Sequence, residues 1–193
     1  MRCKKEFFIK GRSFHFYNHA VDEEALFYNR DDYLILLRKL KTVLLLHSAS
    51  IFAYCLMPNH FHFLIRQDND RPAYKIFNNL FSYYVQVFNK RHNRKGRLFQ
   101  GPLKHKLINK EEYLIYLCQY IHCNPVKAGI INNIEEWEFS NYLEWTGNRN
   151  GTLFCDDLLN EYFENREHYE ESIHEYEQYL KEKEFRSYLF DEP

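Results

Sequence analysis

Long apolar runs are missing from this chain of 193 residues. Runs such as Val43-Leu44-Leu45-Leu46 fall far short of the roughly 20 residues that cross a bilayer, so no membrane partner is expected. Residues 1–6 carry positive charge at Arg2, Lys4 and Lys5, and neither a long apolar stretch nor a cleavage site follows them, so no signal peptide is expected. Cysteine is scarce. Cys3, Cys55, Cys118, Cys123 and Cys155 are odd in number and form no Cys-x-x-Cys pair, which speaks against a disulfide framework and for a reducing cytoplasm. The group Cys118, His122 and Cys123 has the spacing of no common zinc finger. Repeats, low-complexity tracts and a Walker-type glycine motif are also absent, so no nucleotide cofactor is expected.

What remains is the composition of a globular domain. Hydrophobic residues make up 45% and charged residues 27%, which excludes a disordered or collagen-like chain. The length corresponds to about one domain with a short appendage. Aromatic residues are abundant, at 18%.

Acidic residues are missing from one long span. Between Arg71 and Lys110 there are ten basic residues and no Asp or Glu, whereas from Cys155 onward thirteen acids face four bases. The formal net charge of −1 therefore conceals a basic stretch suited to a polyanion and an acidic appendage. Lys90, Arg91, Arg94, Lys95, Arg97, Lys104 and Lys106 are the candidate DNA-binding residues, since such groups bind phosphate through counterion release. Phe77, Phe81, Tyr84, Phe88 and Phe99 lie among them. Aromatics beside bases suit stacking on single-stranded nucleic acid. The helical spacing of the first four equally suits a core stripe.

Hydrophobic periodicity predicts strands over 13–18, 51–57, 60–66 and 103–108, and helices over 33–47, 72–91 and 109–123. The first helix is expected to turn Leu34, Leu37, Leu40, Leu44 and Leu45 inward, and Pro125 is expected to end the third. Pro58-Asn59 joins two strands as a hairpin. The order β-α-β-β-α-β-α predicts an α+β fold: a ferredoxin-like split β-α-β with an antiparallel sheet and helices on one face. Residues 1–150 are expected to form the main domain, and 151–193 an acidic, helical C-terminal extension.

Two constellations carry chemistry. His60 and His62 are two apart on a predicted strand, so their imidazoles share one face and can converge on a divalent ion. Tyr116, Tyr120 and Asn124 are spaced by four and share a helical face. A phenol there can attack phosphorus, and an amide oxygen can complete a metal site. The same spacing suits tyrosines packed against a core.

The stretch Ala53-Tyr54-Cys55-Leu56-Met57-Pro58-Asn59-His60-Phe61-His62-Phe63-Leu64-Ile65 resembles a signature of the insertion-sequence, single-tyrosine transposases of the HUH endonuclease superfamily. Tyr120-Ile121-His122-Cys123-Asn124-Pro125-Val126-Lys127-Ala128-Gly129 is similar to their second signature, especially in the REP-associated tyrosine transposase branch. The resemblance covers about residues 14–143. Asn18-His19-Ala20 departs from the usual Asn-Arg-Gly. The resemblance implies that Tyr120 is the nucleophile and that His60, His62 and Asn124 are metal ligands, with Mg²⁺ or Mn²⁺ as cofactor. Tyr113, Tyr116, His15 and His19 are then left to packing. It implies an enzyme that cleaves and transfers single-stranded or hairpin DNA through a 5′-phosphotyrosine link, as a monomer or homodimer. A non-cleaving hairpin-binding module of the same fold and a metal-dependent RNA nuclease are the alternatives.

Overall fold

The computed structural model describes residues 8–47 and 49–190, and the side chains of all of these except 156–158 and 181–190. Residues 1–6, Cys3 among them, lie outside the described residues. Four strands, β1 (Ser13–His19), β2 (Ala49–Leu56), β3 (His60–Gln67) and β4 (Lys104–Ile108), form one sheet in the order β2-β3-β1-β4. Every neighbouring pair is antiparallel. This is the split β-α-β arrangement expected from the element order. Helices α1 (Arg30–His47), α2 (Tyr74–Arg91) and α3 (Glu111–Lys127) join or follow the strands, and α4 (Tyr142–Trp145), α5 (Asp156–Tyr162) and α6 (Arg166–Phe190) complete the chain. No described helix is long and apolar enough to cross a membrane.

Alternation along the strands builds two cores. Phe14 and Phe16 of β1 and Phe61, Phe63 and Ile65 of β3 point to one face, where α1 and α2 cover them. Phe77, Phe81, Tyr84 and Phe88 of α2 are all buried there. The aromatics among the bases are therefore core residues rather than stacking surfaces, with Phe99 half-buried at the edge. The inward stripe of α1 is Tyr33, Leu36, Leu40, Val43 and Leu44; Leu45 is 75% exposed, because the helix is rotated from the expected setting.

The expectation of helices on one face holds for α1 and α2 only. Leu114, Leu117, Cys118 and Ile121 of α3 bury against Phe52, Cys55 and Leu64 on the opposite face, joined by Tyr169, Ile173 and Tyr176 of α6. The continuous apolar run of β2 is the pattern of a strand covered on both sides.

Pro125 does not end α3. The helix runs through it to Lys127, although proline removes the hydrogen bond that the Ile121 carbonyl would have accepted. Burial of Ile121, His122, Cys123, Asn124 and Pro125 outweighs that loss. The stop comes at Gly129, whose φ of 66° is left-handed. Gly129 N–H donates to Val126 O at 2.9 Å and Ile130 N–H to Pro125 O at 3.0 Å, a Schellman closure.

A bulge between Ile51 and Ala53 shifts the register of β2, so Phe52 and Ala53 face the same core. β2 is also an edge strand, and the segment 139–141 closes it. Leu56 N–H donates to Phe139 O at 2.9 Å. The Asn141 side chain accepts from Tyr54 N–H at 2.7 Å and donates to Phe52 O at 2.9 Å. Its Oδ1 also accepts from His122 Nε2 at 2.9 Å. Replacing Asn141→Ala orphans two buried donors at once. We expect a loss of about 2–4 kcal/mol, measured as a lower urea midpoint with an unchanged m-value.

Candidate functional site

On the face of β1 opposite the phenylalanines stand His15, Tyr17 and His19. The register pairs Tyr17 with His62 and His19 with His60, so the polar sides of the two strands meet. His60 and His62 have ring centroids 5.2 Å apart. His19 stacks on His60 at 4.9 Å, and His15 Nε2 lies 2.9 Å from His62 Nδ1 in a shared hydrogen bond.

Helix α3 crosses this face. It sets the Tyr120 ring edge-on to His62, 5.6 Å between centroids. Asn124, one turn on, donates from Nδ2 to Tyr120 O at 3.0 Å and lies beside His60, near enough to act on its basicity. Lys127 Nζ lies 5.1 Å from the Tyr120 ring centroid. The structure thus brings together His60, His62, Tyr120 and Asn124, which come from two segments about sixty residues apart.

Burial favours the neutral imidazole at His15, His60 and His62. His60 is pushed down to about 4 by burial and then by His19, with Asn124 opposing. His62 lies well below its ordinary value through burial and then the repulsion it would meet, once protonated, from His15, His60 and His19 in their charged forms and from Lys127. His15 is lowered to about 4 by burial and then Lys106. Neutral imidazole is the form that can ligate a cation.

The residues present fit a divalent ion. His60 Nδ1 donates to Asn59 Oδ1 at 2.8 Å and His62 Nδ1 is engaged by His15, so each ring is oriented through one nitrogen and offers the other, the usual support for a ligating histidine. Among the described residues no three His, Cys, Asp or Glu side chains converge as a metal site. The donors here are two imidazoles and a carboxamide, all uncharged, a set that leaves the charge of a cation to be met by an anion from outside.

Beside Tyr120 opens a cavity of about 420 Å³, lined by Tyr17, His62, Lys106, Tyr113 and Tyr116 among others. Tyr113 and Tyr116, assigned from sequence to packing, therefore border the site, as do His15 and His19. The signal for the latter pair was available: His15-x-Tyr17-x-His19 has the same period of two as His60-x-His62.

The basic residues divide into two groups. Lys104 and Lys106 are exposed on β4, opposite Tyr17 and His15 in register. Lys90 and Arg91 end α2, and Arg94, Lys95 and Arg97 follow in a loop. Val21 N–H donates to Leu98 O at 3.0 Å and Gln100 N–H to His19 O at 2.9 Å, which ties that loop beside the His60 end of the sheet. Arg91 and Arg94 are engaged within the protein, Arg91 with Asp31 and Asp32 at 3.5 and 3.4 Å and Arg94 with Glu24 at 2.5 Å.

His122 belongs to the scaffold. It is fully buried between Tyr169 OH and Asn141, while burial raises the Cys118 and Cys123 thiols, so the group holds α3 in place and offers no thiolate.

Comparison with known proteins gives three findings. Residues 10–124 match the sequence model described as "Transposase IS200 like". A Haemophilus influenzae protein that carries the name REP-associated tyrosine transposase is 27% identical over 100 residues, 47% of this chain and 57% of its own length, so the match spans little more than half of that relative. The solved structure of a REP-associated tyrosine transposase bound to a REP hairpin superposes with a TM-score of 0.60 at 19% identity, covering 82% of this chain and 93% of that one.

Proposed function

The chain belongs to the IS200-like transposase family, and from that premise we propose that it cleaves single-stranded or hairpin DNA and transfers the cut strand through a 5′-phosphotyrosine link at Tyr120. The observation that carries this reading is the convergence of Tyr120 on His62, with its ring 5.6 Å away and Asn124 beside His60.

His60, His62 and Asn124 would hold a divalent cation, Mg²⁺ or Mn²⁺, which when bound polarises the scissile phosphate. The Tyr120 hydroxyl attacks phosphorus, forming the Tyr120 O–P bond as the P–O3′ bond breaks. The phenol proton leaves to solvent, and the departing 3′ oxygen takes a proton to become a free hydroxyl. The phosphotyrosine conserves the diester bond for attack by another 3′-hydroxyl, so no nucleotide cofactor is consumed. Asn124 fixes the helix turn that presents the phenol. Lys127 sets a positive charge over the ring, where negative charge develops. His15 and Asn59 fix the two imidazole rings.

Lys104 and Lys106, exposed beside the cavity, would bind the phosphates nearest the cut. Lys90, Lys95 and Arg97 would track the strand at the other end, with Arg91 and Arg94 holding the loop in shape. This proposal places the activity in residues 1–150 and leaves 151–193 as a covering extension.

Covalent trapping tests the reading. Labelled single-stranded hairpins and Mn²⁺ should give a band heavier by one protein mass on a denaturing gel. Tyr120→Phe should abolish it, and His60→Ala with His62→Ala should slow it by roughly 100-fold or more. Binding without that band, on substrates carrying the flanking genomic DNA, would instead mark a hairpin-binding module. RNA cleavage that survives Tyr120→Phe would mark a nuclease. Separately, Lys104→Ala and Lys106→Ala should each reduce the slope of log affinity against log salt by about 0.7, measured by titration of single-stranded DNA.

A further inference from the structure

The cavity beside Tyr120 offers more aromatic surface than opening a phosphodiester requires. Tyr113, Tyr116 and Tyr120 occupy one side of α3 at intervals of three and four, the spacing of neighbours on a helix. Tyr116 is 43% exposed, so part of its ring is open to a ligand. Tyr113 lies beside it, nearly parallel, at 6.2 Å and 21°. The edge contact of Tyr116 with Tyr176 of α6, at 5.4 Å and 80°, holds the ring upright.

A cation is fixed at the same place. Lys106 Nζ donates to the Tyr113 hydroxyl at 3.1 Å and lies 4.4 Å from its ring centroid. An exposed phenol, a second ring alongside and a pinned ammonium, all bordering one cavity, combine a π face with a phosphate-seeking charge. That is the chemistry of an unpaired nucleotide. Position adds to it: Tyr116 precedes Tyr120 by four residues, about 6 Å of helix rise, so the nucleotide next to a phosphate at Tyr120 comes within reach.

We propose that Tyr113, Tyr116 and Lys106 form a subsite for one unpaired nucleotide of single-stranded DNA adjacent to the scissile phosphate, its base on Tyr116 and a phosphate at Lys106. The inference rests on the strand-cleavage reading above and deepens it. Stacking accepts every base, so the subsite selects for an open base face rather than for sequence. A base inside a duplex has both faces covered by its neighbours and is refused.

The test uses the full chain carrying Tyr120→Phe, so that binding is read without cleavage. Affinities are measured for a fluorescent single-stranded oligonucleotide and for the same sequence as a duplex. Adding Tyr113→Leu and Tyr116→Leu should weaken single-strand binding by roughly 5- to 100-fold, with less than about a twofold change for duplex. Tyr116→Phe alone, which keeps the ring and leaves the Tyr113 hydroxyl that holds Lys106, should retain single-strand affinity, and the unchanged duplex affinity of the leucine protein shows that its fold is intact. Unchanged single-strand affinity in the leucine protein would overturn the subsite while the cleavage reading stands. An equal fall for both DNA forms would overturn it too. A parent protein that binds no single-stranded DNA at all would remove the cleavage reading itself, and the subsite with it.

Discussion

The antiparallel pairing of β1 with β3 is the constraint on which the rest of the structure depends. Successive side chains of a strand face opposite ways, so one register decides two things together. It sends Phe14, Phe16, Phe61 and Phe63 into the α1–α2 core, and it lays His15, Tyr17 and His19 against His60 and His62 on the other face. A slip of one residue would bury imidazoles among phenylalanines and expose the rings that hold the sheet together. The hydrophobic core thus enforces the geometry of the polar face.

The second support is the seat of α3. The helix packs on the sheet through Leu117, Cys118 and Ile121, and it is pinned by a buried polar chain. Tyr169 OH donates to His122 Nδ1, and His122 Nε2–H donates to Asn141 Oδ1. Asn141 in turn closes the bulged edge of β2. His122 and, through it, Asn141 therefore connect α6, the helix bearing Tyr120 and the strand leading to His60. The low basicity of His122 keeps the network uncharged, as a fully buried one requires.

Much of this was legible in the sequence, because it is written in short-range periods. The four strands, the Pro58-Asn59 hairpin, His60-x-His62 and the Tyr120–Asn124 spacing all rest on local geometry, and the strand order followed from the succession of elements. Less legible was whatever depends on partners distant in sequence. The placing of α3 on the second face needed the packing of Phe52 and Leu64. The role of His15 needed the β1–β3 register, which no single segment encodes. Pro125 reads locally as a helix stop, yet its buried neighbours outweigh one lost hydrogen bond. The basic span looked uniform, yet Arg91 and Arg94 are committed to Asp31, Asp32 and Glu24, which only the folded chain brings near.

The loop after α2 has a consequence for the thermodynamics of association. Asn89 Nδ2 donates to Gly96 O at 3.0 Å, Arg94 Nη1 to Arg97 O at 2.7 Å, and the following residues are tied to β1. The conformational entropy of this cationic segment is therefore surrendered when the protein folds, and would not be lost again in the DNA binding proposed above. A flexible basic tail gives up part of its electrostatic gain to become ordered; a loop already held in shape keeps that part as affinity.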